Sequence, residues 1–142
     1  MSTEDNKAVT RRGHDALNER NWAAFEALCA PNIVLYNASM TIQGFEPYKQ
    51  FIAMYFTAFP DGRFMIEDMI AEGDRVVVRQ TFHGTHQGDL MGIPPTGKQV
   101  TATAILILRF ANGKAVEEWF NNDDLGLLQQ LGVVPALGQV SS

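Results

Sequence analysis

The sequence predicts an α+β fold, a curved antiparallel sheet wrapped around helices that come early in the chain, giving a cone with a mouth of loops and helix ends. Three observations carry this. Residues 74–83, 100–110 and 114–122 are strand-like runs rich in β-branched and apolar residues. The last two meet at Asn112-Gly113, a dipeptide suited to a tight hairpin because both turn positions want positive φ. Apolar residues spaced three and four apart are confined to the N-terminal half and a short late segment, so helices precede strands instead of alternating with them.

Taken in order, Thr3 followed by Glu4, Asp5 and Asn6 reads as a helix start, with acidic side chains favourable at the positive end of the helix dipole. Ala8, Val9, Arg12, Ala16 and Leu17 continue this first helix to Glu19 or Arg20. His14, next to Arg11 and Arg12, is read as a surface residue. Asn21 caps a short second helix that carries Trp22, Phe25, Leu28 and Cys29 on one face and stops at Pro31. Residues 33–36 and 40–43 are brief extended pieces.

A third helix opens at Gly44-Phe-Glu-Pro47, since proline is tolerated in a first turn. Its stripe is Tyr48, Phe51, Ile52, Tyr55 and Phe59, and Pro60 ends it. Residues 64–70 form a strand, and Glu72-Gly-Asp74 turns into the three long ones. Residues 124–131 form a short helix closed by Gly132, and 135–142 read as a tail.

Length and composition exclude several functions. A chain of 142 residues fits one domain, 1–142, with a core of ordinary size. A net charge of -5 argues against a nucleic-acid partner. One cysteine excludes an internal disulfide and a cysteine metal cage. Neither a basic, apolar leader nor an apolar run near the roughly 18 residues of a membrane span is present, so the expectation is a cytoplasmic protein with no membrane partner.

Several blocks in order, Ala71-Glu-Gly-Asp-Arg-Val-Val-Val-Arg79, Gly84-Thr-His-Gln-Gly88, Gly92-Ile-Pro-Pro-Thr-Gly-Lys98, Glu117-Glu-Trp119 and Leu125-Gly-Leu-Leu-Gln-Gln-Leu-Gly132, make the chain resemble the SnoaL-like polyketide cyclase (ester cyclase) family. The resemblance implies a nuclear transport factor 2-like α+β cone, a homodimer packed through the outer sheet face, and ring closure by intramolecular aldol condensation without metal or organic cofactor. It also implies an aspartate and a histidine as the acid/base pair. Counted from Gly113-Lys114, those places hold Phe120 and Leu106, neither of which can move a proton.

Strand alternation then sorts the candidates. If Phe120 faces the pocket, so do Glu118 and Val116, while Glu117, Trp119 and Asn121 face away. Leu106 shares its face with Ala102, Ala104 and Leu108. Glu118 is the carboxylate these strands offer for catalysis; in an apolar wall its pKa rises, whereas near the rim it is simply solvated. Asp123 is the second catalytic candidate, with helix capping as the alternative role.

Tyr36 and Asn37 could reach the mouth and bind ligand oxygens, or serve structure alone. Arg79 and His83 share a strand face that lines either the pocket or the dimer contact. With Leu106 and Phe120 they complete the ligand-binding candidates. His83 and His86 lack a third ligand at a recognisable spacing, so no metal site is read, and His86 is expected to pin its loop. No phosphate-binding loop is present. The expected partner is a small, mostly apolar ligand, either turned over by a cofactor-independent enzyme or held by a non-catalytic binding protein.

Overall fold

A computed structural model describes residues 2–38 and 40–135. The elements are α1 (Thr3–Asn18), α2 (Trp22–Ala27), β1 (Cys29–Asn37), β2 (Met40–Gln43), α3 (Phe45–Ala58), β3 (Arg63–Glu72), β4 (Arg75–Thr85), β5 (Gln99–Ala111), β6 (Lys114–Asn122) and α4 (Asp124–Gln130). The expected tail, residues 135–142, lies outside the described residues beyond Pro135.

Helix α1 starts one residue earlier than the acidic run implies. Ser2 is the cap: its hydroxyl accepts from Asp5 N–H and the Asp5 carboxylate accepts from Ser2 N–H, a reciprocal capping box. The buried positions of α1 are Asn6, Val9, Thr10, Gly13, Ala16 and Leu17, a three-and-four spacing that sets one whole face against the sheet. Helix α2 is capped by the Asn21 side chain as expected, but it ends at Ala27. Cys29 and Pro31 belong instead to β1. The ladder to β6 is irregular between Cys29 and Val34, and that gap accommodates a proline, which has no N–H to give.

The sheet order is β2-β1-β6-β5-β4-β3. Every pairing is antiparallel except β1 with β6, which is parallel. Antiparallel neighbours need only short turns, whereas a parallel pair needs a long connection; here β2, α3 and β3 to β5 supply it. The β5–β6 hairpin turns at Asn112 and Gly113 with φ of 53° and 79°, as the dipeptide demands.

Register shifts in the β3–β4, β5–β6 and β1–β6 ladders mark bulges. Each bulge bends its strand and adds twist, which is how a flat ladder becomes a cone. The concave face carries Val76, Val78, Gln80 and Phe82 from β4 and Ala102, Ala104, Leu106, Leu108 and Phe110 from β5, all buried. Phe56 and Phe59 of the α3 region pack edge-on against Phe64 and Phe82 of the sheet. His86 holds its loop as expected: its backbone bonds Lys98 and Gly97, and Nδ1 accepts from Thr96 N–H at 3.2 Å. Among the described residues no helix is long and apolar enough to cross a membrane.

Candidate functional site

The helices and the concave sheet enclose a cavity of about 70 Å³. Its wall is mostly apolar, with Phe25, Phe51, Ile52, Leu106, Leu108 and Phe120 prominent. Thr10 and His14 of α1, Cys29 of β1, Tyr48 and Tyr55 of α3, Gln80 of β4 and Glu118 of β6 are its polar residues.

Glu118 sits deep in this wall, 9% exposed. Parity places it inward with Phe120, as the alternation of β6 implies. Val116 does not follow: the register shift opposite Arg109 and Phe110 gives the inward place to Ala115. The Tyr48 hydroxyl of α3 donates to Glu118 Oε1 at 2.6 Å. Burial pushes the Glu118 carboxyl up to about 7, and the Tyr48 bond pulls it back only in part. The same burial, with the Glu118 charge beside it, holds Tyr48 well above the usual phenol range, so Tyr48 remains a donor. A carboxyl balanced near neutrality can take a proton in one form and give it in the other. The solvated-rim alternative for Glu118 does not fit this burial.

Cys29 also lines the cavity, but burial first and the Glu118 charge second push its thiol up to about 12. It is protonated and no nucleophile.

His14 is the largest departure from the sequence reading. It is no surface residue: its Nε2 lies 2.7 Å from Gln80 Oε1, its Nδ1 3.2 Å from the Thr10 carbonyl, and its ring stands edge-on to Phe64. Burial lowers its pKa, outweighing both bonds, so the ring is neutral near pH 7. The signal was present: His14 follows Thr10 by four residues and precedes Leu17 by three, which puts it on the buried face. The flanking Arg11 and Arg12 obscured it. Tyr48 was visible as part of an apolar stripe, but nothing in the sequence pairs it with a residue 70 positions away.

The remaining candidates divide by sheet face. Leu106 and Phe120 line the cavity. Tyr36, Arg79 and His83, expected to bind ligand, lie on the opposite face because their parity is outward. Tyr36 stacks on Trp119 and donates to Glu117 Oε2 at 2.7 Å. Arg79 pairs with Asp68 at 2.6 Å, and His83 Nδ1 meets Thr101 Oγ1 at 3.2 Å, all exposed. Asp123 caps α4, accepting from Gly126 N–H at 2.9 Å, and does not line the cavity. Asn37 lines a separate outer groove of about 180 Å³, along with Met54, Leu90 and Leu127. Phe51 and Tyr55 border both spaces, so they form the partition between groove and cavity. Among the described residues no group of three or more His, Cys, Asp or Glu is placed to hold a metal.

A family profile of SnoaL-like polyketide cyclases matches residues 7–131, from within α1 to just past the end of α4. The chain belongs to that family. Among solved structures, AclR of Streptomyces galilaeus, provisionally assigned as a hydroxylase, is 31% identical with a TM-score of 0.87, over 97% of this chain and 87% of AclR. A provisionally assigned polyketide cyclase of Acidithiobacillus ferrooxidans is 29% identical with a TM-score of 0.80, over 94% of this chain and 99% of the other. IdmH of Streptomyces antibioticus, likewise provisionally assigned as a polyketide cyclase, is 26% identical with a TM-score of 0.78, over 89% and 98%. No curated relative matches the sequence. The SnoaL-like chain therefore has the nuclear transport factor 2-like cone that the resemblance implies, and a cyclase-like enzyme in general terms is what its family supports.

Proposed function

We propose that this SnoaL-like protein is a cofactor-independent acid/base enzyme acting on a small, mostly apolar carbonyl or hydroxy compound, in a cyclase, isomerase, dehydratase or hydrolase reaction. The observation that carries the reading is the buried Glu118 carboxyl in an apolar cavity, bonded to Tyr48 and poised near neutral pH. As carboxylate it accepts a proton from carbon beside a carbonyl; as acid it returns one to oxygen or carbon. Tyr48 holds the oxygen that is not in use. The cavity size favours a compact substrate, since about 70 Å³ is well under the roughly 300–1,000 Å³ of a pocket for a larger ligand.

A second reading, a non-catalytic binding protein of the same fold, is favoured by Phe120 and Leu106, which stand where the resemblance implies a proton-transferring pair. A cytoplasmic location and a homodimer go with either reading. The deciding experiment screens small cyclic ketones, hydroxyketones and epoxides for turnover, then compares Glu118→Gln. Glutamine keeps the shape and removes the titrating group, so activity falls by roughly 10²–10⁴ while binding survives. A fully active Glu118→Gln refutes the acid/base role. Ligand binding without turnover by wild type selects the second reading.

A further inference from the structure

Gln80 presents a hydrogen-bond donor to the cavity that the acid/base role of Glu118 does not use. Gln80 lies on β4, 4% exposed, with its side chain in the cavity wall. Its Oε1 is 2.7 Å from His14 Nε2. The other ring nitrogen of His14 faces the Thr10 carbonyl at 3.2 Å. Both partners are acceptors, and a neutral imidazole carries one N–H. Gln80 Oε1 faces Nε2 at the shorter of the two contacts, so His14 Nε2–H donates to it. The Gln80 NH₂ group is thereby turned away from His14, and among the described residues it has no hydrogen-bond acceptor. That donor opens onto the cavity, so a ligand that places an acceptor there gains a hydrogen bond that an otherwise identical ligand lacks.

The strand register places this donor far from Glu118. Gln80 pairs with Ala104, whereas Glu118 pairs with Leu108, which in turn pairs with Val76. The two side chains therefore spring from positions two strands apart, roughly 10 Å, and offset by about 13 Å along the strands. The side chains cover part of that distance, and the remainder exceeds the span of one carboxylate or a 1,2-diol.

We infer that Gln80, oriented by His14, is the specificity-determining residue for a second ligand oxygen, and that the substrate is an apolar ring compound with oxygens at opposite ends, one at Glu118 and Tyr48, the other at the Gln80 amide. This rests on the reading of the cavity as the site for a small carbonyl compound. His14 is a positioning residue in this arrangement, not a proton carrier.

The test uses two matched pairs of probes, cyclohexanone against cyclohexane-1,4-dione and 2-tetralone against 6-hydroxy-2-tetralone, measured by calorimetry on the full chain. Wild type binds the two-oxygen member of at least one pair more tightly by roughly three- to tenfold, the worth of one neutral hydrogen bond, beyond the twofold that the symmetry of the dione gives it. Gln80→Met removes the donor at similar size. Gln80→Leu also removes the donor with a differently shaped apolar side chain, which covers the case where Gln80→Met fails to fold. Either variant abolishes the preference, read as the ratio of the two affinities within each pair. If wild type shows no preference, or either folded variant retains it, the inference is overturned. If no ketone binds wild type at all, the reading of the cavity fails and the inference falls with it.

Discussion

At the scale of single residues, Glu118 makes a claim about stability that needs no substrate. Its folded pKa, about 7, lies above the 4.5 of a free glutamate. Between those values the folded state holds a proton that the unfolded chain has lost, so stability falls as pH rises through this window. The contribution is fully present below about 4.5 and lost above about 7, and the complete loss is on the order of 3 kcal/mol. His14 works in the opposite sense: its depressed pKa gives stability that is present above the free value of 6.5 and lost as pH falls through the folded one. The raw pH profile therefore mixes two groups, and the difference between wild type and Glu118→Gln isolates one. Chemical denaturation at pH 4.5 and at pH 8 should show Glu118→Gln gaining on wild type at the higher pH, by up to that amount. Equal differences at both pH values would mean that Glu118 is solvated. Parity alone brought Glu118 and Phe120 to the pocket, so that much of the site was legible. The Tyr48 partner and the His14–Gln80 pair were not, because each joins elements 66 to 70 residues apart through side chains whose sequence surroundings look like core or surface.

At the scale of elements, α3 does two jobs: it lines the cavity and walls it off from the outer groove. Phe51 stands edge-on to both Tyr55 and Phe120, at centroid distances of 5.8 and 6.2 Å. A cavity of about 70 Å³ is smaller than the roughly 150 Å³ that holds one benzene, so a ring enters only if an aromatic side chain moves. Phe51 is the residue to expect to move, being half-buried and common to both spaces. Phe51→Ala should join the two volumes and bind two-ring phenols such as 2-naphthol more tightly than wild type does, read by calorimetry. The stability cost should be under the 3–5 kcal/mol of a fully buried Phe→Ala change. Should wild type and Phe51→Ala bind one- and two-ring phenols alike, the partition lies elsewhere. The short final helix gives a simpler expectation. Asp123→Ala should cost about 1 kcal/mol in thermal or chemical melts, and Asp123→Asn very little, because asparagine caps equally well. The long strands, the Asn-Gly hairpin and α3 were legible because pattern and turn chemistry agree there. The parallel β1–β6 pair and the bulge that turns Val116 outward were not, because pairing partners and register shifts are set by closure of the sheet and leave no local mark.

At the scale of the whole molecule, the convex face of the sheet is where association with a partner is expected. The register aligns Ile70, Val77, Ile107, Trp119 and Tyr36 in one row across five strands. Ile70 is 67% exposed, and Ile105 in the neighbouring row is 54% exposed. On one side this apolar row is bordered by Arg75, Arg109 and Glu117, with Arg109 bonded to Glu117 and Arg75 lying over the Trp119 ring at 5.0 Å. On the other side the Asp68–Arg79 pair borders it. An apolar strip between charged margins has the anatomy of an interface, whose centre is apolar and whose rim is polar. The expected occupant is a second copy of the same face, since two-fold contacts of this kind are the commonest oligomers. A stable pair needs about 800 Å² from each partner, and a strip crossing five strands spaced about 4.8 Å apart can supply it with its rim. Light scattering of the wild type at micromolar concentration should give twice the chain mass. Ile105→Asp and Ile107→Asp place a charge in the strip without touching the cavity, and should give the single-chain mass with an unchanged far-ultraviolet circular dichroism spectrum. Because Leu106 between them faces inward, both variants should keep the ligand binding of the wild type. A wild-type monomer would leave the row as mere surface, and a dimer that survives both charges would place the contact on another face.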